Sequence, residues 1–214
     1  MKASSITHKV QIGVLAVCLS ILLICIVFSV TALNPIIIRH YVDKYSTVQE
    51  REDITNNVLS FLSYNDDLAY FTNTEQAHMR DVRQLITIGK ATAVIALLGC
   101  IALITTTYLR SKKHAVADTS SLLNRALVWT GISLATLICI ALLVDFSVLF
   151  STFHKILFPQ GNYLFSEDSL LIRTFPEAFF KAMGVLFGTV LLCVSMACIV
   201  LSVVLKRVRN KRNA

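Results

Sequence analysis

The sequence predicts an all-α integral membrane protein with four transmembrane helices. Of its 214 residues, 55% are hydrophobic and only 15% are charged, so the polar residues are too few to cover a soluble domain of this size. Four apolar runs account for the excess, at residues 10–33, 86–108, 126–150 and 180–205. Each run is close to the roughly 20 residues that a helix needs to cross the hydrocarbon core. Helices are predicted because a backbone in lipid must satisfy its own hydrogen bonds.

The first run is predicted to be a retained helix rather than a cleaved signal sequence. It contains no charged residue and is longer than the apolar core of a typical signal peptide. No clean small-residue cleavage motif precedes Asn34, which favours retention.

The charges predict which side of the membrane each segment faces. Lys and Arg concentrate before residue 10, between residues 110 and 125, and after residue 205, whereas nearly all carboxylates lie in residues 34–85 and 151–179. By the positive-inside rule, both termini are cytoplasmic and the two longer loops are extracytoplasmic, with short interfacial helices. The net charge of +7 is then a topology signal and predicts membrane lipid, not nucleic acid, as a partner. Residues 1–214 are interpreted as a single membrane domain of unspecified oligomeric state.

Several kinds of site are excluded by the sequence. All six cysteines fall within apolar runs, so no disulfide framework is predicted in the loops. There is no phosphate-binding loop, dinucleotide fingerprint or G-x-S-x-G motif. We therefore expect neither a nucleotide nor another cofactor, and no serine nucleophile.

The first outer loop contains the stretch "TNTEQAHMRDVRQL". Thr72 and Glu75 fit the T-x-x-E capping box, so a helix is predicted to start near Thr72 or Asn73. At helical spacing His78 falls on the apolar face, and Asp81 follows one turn later. A carboxylate at i+3 is close enough to bond one imidazole nitrogen and orient the other.

The second outer loop is too apolar for a solvated loop and is predicted to be re-entrant or interfacial. It contains His154, and it ends in Thr174-Phe175-Pro176-Glu177, a second T-x-x-E signature that predicts the start of the fourth helix. Glu75 and Glu177 are each interpreted first as capping residues. We expect His154 to meet His78 across a helix interface.

Two histidines at a membrane edge predict a site for acid–base chemistry. His8 and His114 lie in basic segments and His40 follows the first helix, so these three are interpreted as solvated or anchoring residues. A metal site is the competing interpretation, with both imidazoles and a carboxylate of Asp81, Glu75 or Glu177 as ligands. Because no H-E-x-x-H spacing is present, the metal-free interpretation is preferred.

Two blocks of the sequence resemble a known family. "FTNTEQAHMRDVRQL" resembles the pattern F-T-x-x-E-x-x-H-M-x-D-V, and "FHKILFPQGNYLFSEDSLLIRTFPEAFF" resembles F-H-x-x-x-F-x-x-G-x-W-x-F followed by L-I-x-x-F-P-E-x-F-F. Both patterns belong to small bacterial four-helix membrane proteins that include the lipoprotein intramolecular transacylase of Gram-positive bacteria. The resemblance covers almost the full length. Tyr163 departs from it, since tryptophan is expected there.

The resemblance implies an acyltransferase of the plasma membrane whose active site faces outward. Its substrates would be diacylglyceryl-modified lipoproteins, and it would move a fatty acyl chain from the sn-2 ester to the lipoprotein's own α-amino group, leaving a lyso-form. One of His78 and His154 would be the base and the other would polarise the ester or protonate the leaving oxygen. We favour His154 as base with Asp81 orienting His78, while the reverse assignment and an acyl-histidine intermediate stay open.

The remaining functional predictions concern the oxyanion, the acyl chains and the alternatives. Tyr163 or Arg83 would help to hold the oxyanion, and the apolar second loop would accommodate acyl chains. A metal-dependent membrane hydrolase and a non-catalytic membrane scaffold are the alternative functions. Transport is disfavoured because the apolar runs contain almost no polar groups at mid-membrane.

Overall fold

A computed structural model describes residues 2–64, 66–111 and 114–212, which form helices and loops with no strand among them. The eight helices of this part of the chain are α1 (Lys2–Ala32), α2 (Pro35–Tyr45), α3 (Arg51–Tyr64), α4 (Asn73–Arg110), α5 (Ala115–Leu142), α6 (Phe146–Leu157), α7 (Leu170–Thr174) and α8 (Glu177–Arg212).

Four of these helices, α1, α4, α5 and α8, are long and apolar enough to cross a membrane. Large aliphatic side chains project from their surfaces, among them Val17, Ile95, Ile140 and Val200, each about half exposed or more. Such exposure is unfavourable in water and is expected against lipid. The predicted all-α fold with four membrane helices is confirmed.

The third apolar run differs from a continuous helix over residues 126–150. The helix α5 ends at Leu142, and Asp145 begins α6 by accepting a hydrogen bond from the Ser147 backbone N–H at 2.9 Å. A side chain that caps a new helix competes with continuation of the old one. A sequence interpretation based on hydropathy alone could not detect this break, since apolar residues continue on both sides of Asp145.

The described residues divide into two compact units. The first comprises Met1–Val27, Lys90–Ile140 and Thr189–Ala214. Its helices approach closely at Gly131, where a Cβ atom would meet Ile199 Cγ1 at 2.6 Å and the Ser195 carbonyl oxygen at 2.9 Å. The Ser195 hydroxyl donates to the Gly131 carbonyl at 2.7 Å. Small residues with interhelical hydrogen bonds are typical of packing between membrane helices.

The second unit comprises Phe28–Gly89 and Ala141–Gly188. Asn34 caps α2 through its side-chain oxygen, and Pro35 occupies the first helical position. The short helices share one apolar core, to which α2, α3, α7 and the beginnings of α4 and α8 contribute. Its buried members are Ile38, Val42, Val48, Ile54, Val58, Phe61, Leu68, Phe71, Met79, Leu171, Phe175, Phe179 and Met183.

Candidate functional site

The beginning of α4 is held by the predicted capping box. The Glu75 carboxylate oxygen Oε2 accepts from the Thr72 backbone N–H at 2.9 Å and from its hydroxyl at 2.8 Å, and Thr72 Oγ1 accepts from the Glu75 N–H at 3.4 Å. The second carboxylate oxygen accepts from the Leu171 N–H at 2.9 Å, which ties α4 to the first turn of α7. Glu75 is only 2% exposed. The structure thus gives this carboxylate a structural role, one turn before His78.

His78 lies in a pocket of aromatic rings. The side chain is 6% exposed, and its ring packs edge-on against Phe158 and Phe165, with centroids 4.7 and 5.6 Å away. Its Nδ1 atom is buried and has no hydrogen-bond partner within the described part of the chain. A buried polar atom without a partner is rare and calls for an explanation.

His154 lies beside His78 with the two rings stacked. Their centroids are 6.1 Å apart and their planes are inclined by 27°. The Nδ1 of His154 lies 2.8 Å from the Phe150 carbonyl oxygen, one turn earlier in α6. A carbonyl oxygen can only accept, so Nδ1 must carry the hydrogen. The Nε2 atom of His154 is therefore the nitrogen that is left for a substrate.

The surroundings of the two histidines treat a positive charge differently. His78 lies before the apolar stretch of α4, in a segment from Glu75 to Arg83 that contains four charged residues. Burial lowers the pKa of His78 below its usual value and the neighbouring His154 lowers it further, whereas Asn162 and Asp81 act in the opposite direction. His154 is half-buried in the last turn of α6, where the helix dipole favours a cation. The surroundings of His78 thus favour the neutral form of its ring.

Asp81 has partners that differ from the predicted one. Its Oδ2 atom accepts from Gln160 Nε2 at 2.7 Å and from Asn162 Nδ2 at 2.5 Å, so we correct the expected hydrogen bond to His78. Both amides lie some 80 residues away in the chain, on either side of Gly161, whose φ of 75° reverses the loop. A left-handed conformation is readily adopted by glycine. Gln160 and Asn162 were not among the residues predicted for the site.

The other predicted site residues are spread around this centre. The Tyr163 ring lies 5.2 Å from that of His154. The Arg83 guanidinium lies over the Phe61 ring at 5.5 Å. Glu177 begins α8 as predicted, and its Oε1 accepts from the Ser147 hydroxyl at 2.5 Å. The Thr174 hydroxyl, the expected partner in a capping box, donates to the Leu170 carbonyl instead. Tyr163 thus lies against one of the two histidines, at the centre of the candidate site.

A cavity of about 460 Å³ adjoins the histidine pocket. Phe165 lines this cavity and also packs against His78. Its wall includes the polar residues Thr72, Glu75 and Asp168.

Metal binding was the competing interpretation of these residues. Within residues 2–64, 66–111 and 114–212, no group of three or more His, Cys, Asp and Glu side chains is placed to hold a metal ion. The carboxylates of Glu75 and Asp81 are turned toward their hydrogen-bond donors instead.

Known proteins resemble this chain in sequence pattern and in fold. Residues 12–180 match the family model described as "Lipoprotein intramolecular transacylase Lit". No curated protein matches the chain. The fold is similar to the in meso structure of the membrane integral lipoprotein intramolecular transacylase Lit from Bacillus cereus, with a TM-score of 0.68 and 19% identity over 98% of this chain and 100% of that one.

A variant of the Bacillus cereus protein with a histidine-to-alanine mutation has the same fold, with a TM-score of 0.72 and 18% identity over 100% of this chain and 99% of the other. The structural likeness supports the four-helix membrane fold, and the match to the family model covers most of the sequence. The chain therefore belongs to the lipoprotein intramolecular transacylase (Lit) family.

Proposed function

We propose that the protein transfers a fatty acyl chain from the sn-2 ester of a lipoprotein's diacylglyceryl-cysteine to the α-amino group of the same cysteine. The observation that carries this proposal is the stacked pair of His78 and His154, with ring centroids 6.1 Å apart in an aromatic pocket. Two imidazoles in unequal surroundings can supply one base and one acid. The product is an N-acylated lipoprotein that retains one ester-linked chain.

The reaction needs little beyond positioning and proton transfer. Conversion of an ester to an amide is downhill, so no nucleotide is required. Donor and acceptor belong to one molecule, and holding them together lowers the barrier by up to several kcal/mol. What the protein must supply is a base for the amine, a donor for the oxyanion and a proton for the leaving alkoxide.

The contacts around the histidines favour His78 as the base and His154 as the acid, the reverse of the assignment favoured from sequence. Burial and the adjacent ring lower the pKa of His78, so this imidazole is neutral near pH 7 and can accept a proton. His154 donates through Nδ1 to the Phe150 carbonyl, an arrangement that also suits the imidazolium. In that state Nε2–H faces the substrate as a proton donor.

The proton and bond changes then balance within the pair. The neutral α-amine attacks the ester carbon, forming a C–N bond, and transfers a proton to His78. The ester C–O bond breaks as His154 gives its proton to the glyceryl oxygen. His78 returns a proton to His154 afterwards, so the pair is restored without a net change. This cycle needs only one excess proton on the pair, and two charged rings so close together would repel each other.

The apolar surroundings suit a substrate held in a membrane. The amphipathic helix α6 has no buried residue, and Phe153 and Ile156 are 51% and 69% exposed. We assign acyl chains to this surface and polar parts of the lipoprotein to the adjoining cavity. The second unit, the sequence of which contains every acidic residue except Asp118, is assigned to the extracytoplasmic side by the positive-inside rule. Residues 1–214 are proposed to act as one membrane domain.

Mass spectrometry of a lipoprotein's N-terminal peptide tests this function. The protein is expressed in a host that makes only the diacylglyceryl form, alongside the variants His78→Ala and His154→Ala. We expect the α-amine to become acylated at constant total mass with the natural protein, and at least 100-fold less product with either variant. His40→Ala is the matched control, since His40 is exposed in α2. A free α-amine in the presence of folded natural protein would refute the proposed activity.

A further inference from the structure

The amide of Asn162 has one end satisfied and one end unsatisfied. Its Nδ2 donates to Asp81 Oδ2 at 2.5 Å. A carboxylate can only accept, so this contact determines which end of the amide is nitrogen and which is oxygen. The carbonyl oxygen Oδ1 therefore points away from Asp81. It is buried, and none of the described residues forms a hydrogen bond with it.

The buried Nδ1 atom of His78 could satisfy this oxygen, because a ring N–H is a hydrogen-bond donor. It also lacks a hydrogen-bond partner among the described residues, in a side chain that is only 6% exposed. Leaving a buried donor or acceptor unpaired is costly. A ring N–H and a carbonyl oxygen satisfy each other, and Asn162 raises the pKa of His78, as an acceptor for the ring hydrogen does.

We propose that Asn162 is a positioning residue for His78: Asp81 turns the Asn162 amide, and its Oδ1 accepts the hydrogen of His78 Nδ1. This hydrogen bond keeps the proton of the neutral ring on Nδ1 and leaves the lone pair of Nε2 for the substrate amine. The bond persists when Nε2 becomes protonated. Gln160, whose Nε2 donates to the same Asp81 oxygen at 2.7 Å, holds that carboxylate in place. The inference rests on the proposed function for its catalytic meaning, but not for its geometry.

Nitrogen-15 NMR of the full chain in detergent micelles tests the geometry without a substrate. The His78 signals are assigned by their loss in His78→Gln. We expect a single tautomer in the natural protein, with hydrogen on Nδ1 and an unprotonated Nε2. Asn162→Ala should give a mixture of tautomers, and Asp81→Ala, which removes the acceptor that orients the Asn162 amide, should shift the ring toward the same mixture. Asn56→Ala is the matched control, since Asn56 is an exposed amide in α3 whose partner is Arg39.

The transfer assay provides the second measurement. We expect Asn162→Ala to lower kcat by about tenfold, the effect of one lost hydrogen bond, with little change in KM. The acid limb of its pH–rate profile should move to lower pH, because an influence that raises the pKa of His78 has been removed. A merely structural role would not move this limb.

The outcomes separate this inference from the proposed function. Hydrogen on Nε2 of His78 in the natural protein, or an unchanged tautomer in Asn162→Ala, would overturn the positioning role even if acyl transfer occurs. If Asn162→Ala does not fold, an unchanged single tautomer in Asp81→Ala would overturn it equally. If the predicted tautomers are found in a protein that transfers no acyl group, the positioning role stands and the proposed function fails.

Discussion

Replacing Glu75 by alanine removes the acceptor that joins α4 to α7. The carboxylate receives three hydrogen bonds, two from Thr72 and one from the Leu171 backbone N–H. Leaving that buried N–H unpaired costs about 1–3 kcal/mol, and loss of the cap at the start of α4 adds about 1 kcal/mol. We therefore expect the free energy of unfolding to fall by about 2–4 kcal/mol.

Chemical denaturation in detergent, followed by circular dichroism, measures this loss. Glu75→Gln should be intermediate, since its one carbonyl oxygen can serve only one side of the junction. Glu52→Ala is the control, because Glu52 is exposed in the first turn of α3 and should change stability by no more than about 1 kcal/mol. Unfolding of Glu75→Ala at the same denaturant concentration as the natural protein would refute the structural role of this carboxylate. Normal stability with loss of acyl transfer would instead assign it to the chemistry.

Four further predictions follow from particular contacts. Gly161→Ala should lose about 1 kcal/mol of stability, because the φ of 75° strains alanine even with open space around it. Gly188→Ala, inside α8 with open space around it, should not destabilise, because alanine is the better helix former. Equal effects of the two changes in unfolding assays would contradict this. Gly131→Ala should destabilise by about 1–3 kcal/mol, because the new Cβ meets Ile199 and a backbone oxygen; an unchanged melting temperature would oppose this packing. The pKa of His78 is lowered in the folded protein, so its neutral ring stabilises the fold fully above about pH 6.5, the pKa of the unfolded state. This stabilisation is lost as the pH falls below that value. His78→Gln should abolish this part of the pH dependence of the melting temperature. Transfer should persist after dialysis against a chelator, and a loss restored by added metal would favour the hydrolase interpretation.

The sequence predicted helix starts where a local signal matched a local structure. The first T-x-x-E signature forms a capping box because Thr72 and Glu75 face each other across one turn. The second signature gave the correct start of α8 for a different reason. Thr174 ends α7 instead, since its hydroxyl donates to the Leu170 carbonyl at 2.7 Å. The motif thus marked a helix boundary without specifying its hydrogen bonds.

Contacts between segments that are far apart in the chain could not be predicted from local sequence patterns. The sequence paired His78 with Asp81 because three residues separate neighbours on a helix. In the structure a loop some 80 residues later supplies two amides to Asp81. Amide side chains have both donors and acceptors and occur in most loops, so nothing in "PQGN" distinguished Asn162 from a solvated turn residue. The role of Asn162 follows from its contact with Asp81, because that carboxylate must face the nitrogen end of the amide.

The assignment of base and acid to the two histidines also depends on contacts that the sequence does not reveal. Sequence placed both at a membrane edge and favoured His154 as the base, but an imidazole's proton affinity depends on burial and on the charges beside it. His78 lies early in a long helix, covered by Phe158 and Phe165. His154 lies at the end of a short helix, with its Nδ1 on the Phe150 carbonyl. A substitution that opens the cover of His78, such as Phe165→Ala, should therefore raise the pKa of that ring and move the acid limb of transfer to higher pH. An unmoved limb in a folded Phe165→Ala protein would mean that burial does not set the proton affinity of the base, and the assignment of His78 as base would lose its physical support.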